Sequence, residues 1–190
     1  MLVEKICSPP TSQDDIQIRA GQEIQWKDTY LRIGKTSIDS YSRFFQFKIL
    51  NNILYTNWHL YKFKLAPTPR CSFCFICDET VDHIFIHCIE VKKIYFQVKI
   101  WLSQKEINLP EQNFHSMILG VDSILINHIL LIFKIVVYKA RENLKLPSIE
   151  YFRNYLKHVV VTEGSIAKKR NKEKQHLKKW KGLSNEDGFL

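Results

Sequence analysis

Eighteen consecutive residues, CSFCFICDETVDHIFIHC from Cys71 to Cys88, hold four of the chain's five cysteines and two of its seven histidines. Thiols and imidazoles at this density point to a metal site, and a metal site dictates where the chain must turn back on itself. Cys71, Cys74, His83 and Cys88 give C-x2-C-x8-H-x4-C. That is two ligand pairs across a short spacer, which lets three thiolates and one imidazole close around a single Zn2+ ion. Three sulfurs and a nitrogen are soft or borderline donors that suit zinc, and four protein ligands leave no position for a catalytic water. The ion is expected to be structural.

Other sets of four can be drawn from the same six candidates. Cys74 and Cys77 form a second C-x2-C, and His87 follows His83 by one helical turn. The outer set is preferred because Thr80–Cys88 reads as a short helix, with Thr80 as N-cap and Asp82 in its first turn. On such a helix the neighbours His87 and Cys88 point about 100° apart, so one ion cannot readily take both. Cys77 then reads as a buried apolar thiol beside Phe75 and Ile76, and His87 as a partly exposed helix histidine. The remaining thiol, Cys7, has no partner left and reads as an ordinary free cysteine. Clustered rather than dispersed cysteines argue against a secreted disulfide scaffold and for a reducing compartment, nucleus or cytoplasm.

Charge is as unevenly placed as sulfur. Of a formal net charge of +9, Ser165–Lys181 carries +7, from Lys168, Lys169, Arg170, Lys172, Lys174, Lys178, Lys179 and Lys181 against Glu173. Such a run can follow a phosphate backbone without reading sequence, with an affinity that falls steeply with salt. A solvated helix end or a nuclear localisation signal would have the same composition.

Periodicity makes the rest mainly helical. The spacing predicts helices near Gln22–Arg32, over Ser37–Leu54, from Asn57 as cap to Phe63, over Glu90–Ser103, from Asp122 to about Leu144, and onward from Ser148 with Glu150 in the first turn. On Ser37–Leu54, Tyr41, Phe44, Phe45, Ile49 and Leu50 recur near helical spacing; the aromatics are read as core rather than as a base-stacking surface. In Glu90–Ser103, Val91, Ile94, Tyr95, Val98, Trp101 and Leu102 form the apolar face of a helix that could seal the metal loop. Ile124–Tyr138 is the most apolar stretch, but it is fifteen residues long and interrupted by Asn127, His128 and Lys134. It reads as a core helix, short of the roughly 20 apolar residues a membrane span needs. No apolar signal segment opens the sequence. Gly164 is where the last helix is expected to fray.

Residues Arg43–Leu65 (RFFQFKILNNILYTNWHLYKFKL), PTPRCSFC, DETVDHIFIHC and VKKIYFQVKIWL, in that order, resemble the zinc-binding domain of reverse transcriptases from non-LTR retrotransposons of the long interspersed type. The resemblance rests on Ile49-Leu50, Leu54, Thr56-Asn57, Leu60, Cys71, Cys74, Glu79-Thr80, His83, Phe85, Cys88 and Trp101-Leu102, and covers about residues 26–102. Cys77 and Ile86-His87 depart from the family pattern. The resemblance implies a zinc-dependent accessory module that helps a polymerase engage template RNA or target DNA, with RNA, DNA and a polymerase domain as partners. The polymerase chemistry itself is not expected here. It needs an aromatic-x-Asp-Asp turn for two metal ions, and the only adjacent aspartates, Asp14-Asp15 in SQDDIQ, lack the aromatic and the apolar hairpin. No phosphate loop, H-E-x-x-H or G-x-S-x-G is present, so no catalytic residue is assigned.

The expected organisation is a loose N-terminal segment (1–20), a helical zinc-binding domain (21–164) with its knuckle at 71–88, and a basic C-terminal tail (165–190). The nucleic-acid contacts are expected from Lys168, Lys169, Arg170, Lys172, Lys174, Lys178 and Lys179. The competing reading is a protein-interaction module or an inactive fragment of a decayed retroelement.

Overall fold

A computed structural model of the chain describes residues 12–21 and 23–183. Eight α-helices follow in order among them: α1 (Ser12–Ala20), α2 (Trp26–Thr36), α3 (Ser40–Leu50), α4 (Asn57–Lys62), α5 (Ile89–Ser103), α6 (Ile124–Glu142), α7 (Ile149–Lys169) and α8 (Glu173–Trp180). Two single π-helical turns, His83–His87 and His115–Leu119, precede α5 and α6. The described residues contain no strand. A single β-bridge between Arg70 and Asp78 lies at the base of the metal loop.

The fold is built around α6. Its sequence ILINHILLIFKIVVYKARE is apolar nearly all round, and a helix of that kind must be wrapped on every side. Residues 129–137 are buried beneath α2, α3, α7 and α8. Its polar residues serve as ties. Lys134 Nζ donates to Gln46 Oε1 of α3 and to the Met117 carbonyl. Asn127 pairs with both backbone groups of Val121. Arg141 reaches the metal loop. No helix among the described residues is long and apolar enough to cross a membrane, in agreement with a core role for α6.

Capping decides several boundaries. Asp39 accepts from the Tyr41 and Ser42 N–H groups and starts α3, so this helix is shorter than Ser37–Leu54. Ser148 caps α7 through Tyr151 N as its position suggests. The α6 cap is Ser123, which accepts from Ile126 N, rather than Asp122. Gly120 holds φ +85 in the turn before α6, and a Cβ there would lie 2.8 Å from Asn127 Oδ1.

Helices lie at both ends of the described residues. Within the segment read as loose, Ser12–Ala20 is helical; Ile16 is buried and Arg19 pairs with Asp82 at 2.7 Å. Cys7 lies outside the described residues, as do the side chains of Asp14 and Asp15. At the other end the basic segment folds back. α7 runs unbroken through Gly164, where a Cβ would meet His176 Nε2 of α8 at 3.1 Å. Trp180 and Leu183 are buried and anchor α8.

Candidate metal centre

The metal loop begins where Pro69 delivers the chain into a tight turn. Cys71 N donates to the Cys77 carbonyl at 2.8 Å and Phe75 N to the Cys71 carbonyl at 3.0 Å, with Phe75 in the left-handed region at φ +58. This turn brings Cys71 and Cys74 together and throws the intervening tip outward. Phe75 and Ile76 are 74% and 67% exposed, and Cys77 is exposed with them. The expectation of a buried Cys77 is therefore corrected: the C-x2-C turn that aims two sulfurs inward leaves no core beneath the residues that follow.

Thr80 begins the second half as foreseen, its Oγ1 accepting from His83 N at 3.0 Å. The helix does not continue as an ordinary α-turn. Cys88 N donates to the His83 carbonyl at 2.7 Å, an i→i+5 bond that closes a π-turn. In a regular α-helix His83 and Cys88 would point about 140° apart. The wider π-turn brings Cys88 round beside His83, in keeping with the recurrence of π-turns at functional sites. His87 falls on the exposed side.

Cys71, Cys74, His83 and Cys88 converge, with one ligand atom from each lying within 4.8 Å of all the others. The Cys71 and Cys88 sulfurs are 3.8 Å apart, and Cys74 Sγ lies 3.3 Å from His83 Nε2. Sulfurs at about 2.3 Å from a tetrahedral zinc are roughly 3.8 Å from one another, so the donor set fits the ion in both chemistry and spacing. The electrostatics favour the deprotonated thiolate a metal requires at Cys74 and Cys88, but not at Cys71. The hydrogen bond shared with the Cys71 sulfur, and then His83, hold Cys88 well below the usual thiol range against the opposing effect of burial. The same bond pushes Cys71 up. Burial opposes ionisation of Cys74, but the N–H groups of Cys77 and Ile76 and the His83 ring lower it on balance. His83 is raised by Cys88 and then Cys74, against burial. Zinc bound here would crosslink the C-x2-C turn to the π-turn.

A second layer, not assigned from the sequence, holds this loop to the helices. Glu79 is fully buried; its Oε1 accepts from Asn57 N at 2.9 Å and from Arg141 Nε at 2.7 Å, and its Oε2 from Ser72 N at 2.8 Å. Arg141 also donates to Asn57 Oδ1 at 2.7 Å, while Asn57 Nδ2 donates to the Arg70 carbonyl and to Ser72 Oγ. Asn57 was expected to cap α4. Instead Thr56 occupies the cap position, and the Asn57 side chain is turned toward the metal loop. Pairs such as Thr56-Asn57 and Glu79-Thr80 are visible in sequence, but their common partner lies far downstream.

The basic residues occupy the α7–α8 corner. Lys168, Lys169, Arg170, Lys172, Lys174 and Lys178 are exposed. Lys179 is turned inward, its Nζ donating to the Thr36 carbonyl at 3.0 Å and to Glu163 Oε2 at 3.2 Å. Burial lowers its pKa despite the favourable Glu163 carboxylate. The packing of α8 thus turns Lys179 away from the other basic residues: Glu163 also accepts from Trp180 Nε1 and lies 3.8 Å from the buried His128. On α3, Phe45 is core as expected, while Tyr41 and Phe44 face outward.

The chain thus joins a mainly helical fold to a three-cysteine, one-histidine cluster between helices whose donors suit zinc. Residues 16–95 match the family model described as zinc-binding in reverse transcriptase. No curated protein matches the chain.

Proposed function

We propose that the chain is a nucleic-acid-binding accessory module of the kind carried by non-LTR retrotransposon reverse transcriptases, folded around one structural zinc ion. On this reading it assists a polymerase domain in engaging template RNA or target DNA in the nucleus or cytoplasm, and performs no catalysis of its own. The observation that carries it is the pairing of a reverse-transcriptase zinc-binding match with six exposed cations gathered at one corner of the same fold. Zinc would act through folding, since a knuckle forms its site only as it folds. The cations would act through phosphates, displacing counterions without base-specific contacts.

The test is a salt-titrated filter-binding curve with single-stranded RNA and with duplex DNA. Replacing Lys168, Lys169, Arg170, Lys172 and Lys174 by Gln is expected to weaken binding and to flatten the dependence of log K on log salt, by roughly 0.7 to 0.9 for each phosphate no longer neutralised. An unchanged affinity and slope would refute the reading.

A further inference from the structure

Between α7, α8 and the end of α2 lies an open groove of about 610 Å3. Its floor is aliphatic, formed by Ile38, Ile124, Leu125, Ile166 and Ala167. Ile38 and Ile124 are 42% and 44% exposed, so apolar area is left open to solvent. The rim carries Lys35, Arg170, Lys172 and Lys178, all exposed and none in an ion pair among the described residues. The groove's carboxylate, Glu163, is taken up by Lys179, Trp180 and the Ile38 N–H and does not offset the rim.

An occupant of this groove must be apolar on one side and anionic along its flanks. We propose that the groove docks an acidic amphipathic helix of a protein partner, its aliphatic side chains on the floor and its carboxylates on the rim. A nucleic-acid strand fits less well, because no Phe, Tyr or Trp lines the groove, His176 is its one aromatic ring, and stacking on such faces is what seats bases in such channels. Lys168, Lys169 and Lys174 lie outside the groove lining and remain available to phosphates. The docking site thus goes beyond the nucleic-acid reading, shares only rim cations with it, and does not depend on it.

The test uses three fluorescent probes in anisotropy titrations of the full chain. The first is a peptide of about 18 residues, some five turns, with leucines at i, i+3, i+4 and i+7 and glutamates on the opposite face. The second is its scrambled isomer, and the third is single-stranded RNA. The patterned peptide is expected to bind about tenfold more tightly than the scrambled one, a difference set by the floor rather than by charge. Ile124→Ser combined with Ile166→Ser, which removes apolar floor without adding charge, is expected to weaken the patterned peptide by about tenfold and to leave RNA unchanged. Lys168→Gln with Lys169→Gln and Lys174→Gln is expected to weaken RNA and spare the peptide. Chemical-shift changes in the unmutated chain are expected at Ile124, Leu125 and Ala167 on peptide addition, which keeps the test independent of how the floor variant folds. Equal binding of the two peptides would overturn the proposal, as would loss of RNA in the floor variant or shift changes confined elsewhere.

Discussion

At Cys88 two local demands meet: its sulfur faces Cys71 while its N–H closes the π-turn on His83. The spacing C-x2-C-x8-H-x4-C makes the four converging donors legible, because such spacing is a local property. What holds them is not legible. Glu79 and Arg141 lie 62 positions apart, and a buried ion pair between such residues leaves no periodic trace. Removing one partner of a buried pair strands the other's charge, so Arg141→Met is expected to cost about 3–5 kcal/mol, a fall in melting temperature of roughly 6–20 °C. A loss under about 1 °C by thermal denaturation would show that Glu79 finds compensation elsewhere. Lys134 offers a second check. Burial pushes its pKa down to about 7, whereas an unfolded lysine titrates near roughly 10.4. Between those values the unfolded chain binds a proton that the folded chain does not, so this residue makes stability rise with pH across that window. The stability difference between the native chain and Lys134→Met should therefore shift toward the native chain from about pH 7 to about pH 10 in urea denaturation. A constant difference would contradict the assignment.

Helices α5, α6 and α7 are readable because their apolar residues repeat at helical spacing and Ser148 caps where a cap is expected. The α3 stripe is only half readable: periodicity marks aromatic positions, but not which of two adjacent faces a neighbouring helix will cover. The basic segment reads as a tail because charge outweighs Trp180 and Leu183 in composition, whereas those two residues anchor it. The element that permits this is Gly164. Gly164→Leu is expected to drive α8 off α7, exposing Trp180. A red-shifted tryptophan emission and a lower melting temperature should follow, and unaltered emission would show that α8 docks without the close approach.

On the scale of the whole molecule, the C-x2-C turn and the π-turn are joined to the helical body by the network of Glu79, Arg141 and Asn57 and by α5. Neither turn is long enough to persist alone. Zinc is expected to set their arrangement, so a chelator should loosen the knuckle and α5 before α6, as increased hydrogen exchange over residues 71–103 would report. The most direct measurement is metal content on the purified, reduced chain together with its cysteine variants. One zinc per chain, lost in Cys71→Ser and Cys88→Ser but retained in Cys77→Ser, is the predicted result. No bound zinc, or equal loss from all three variants, would contradict it.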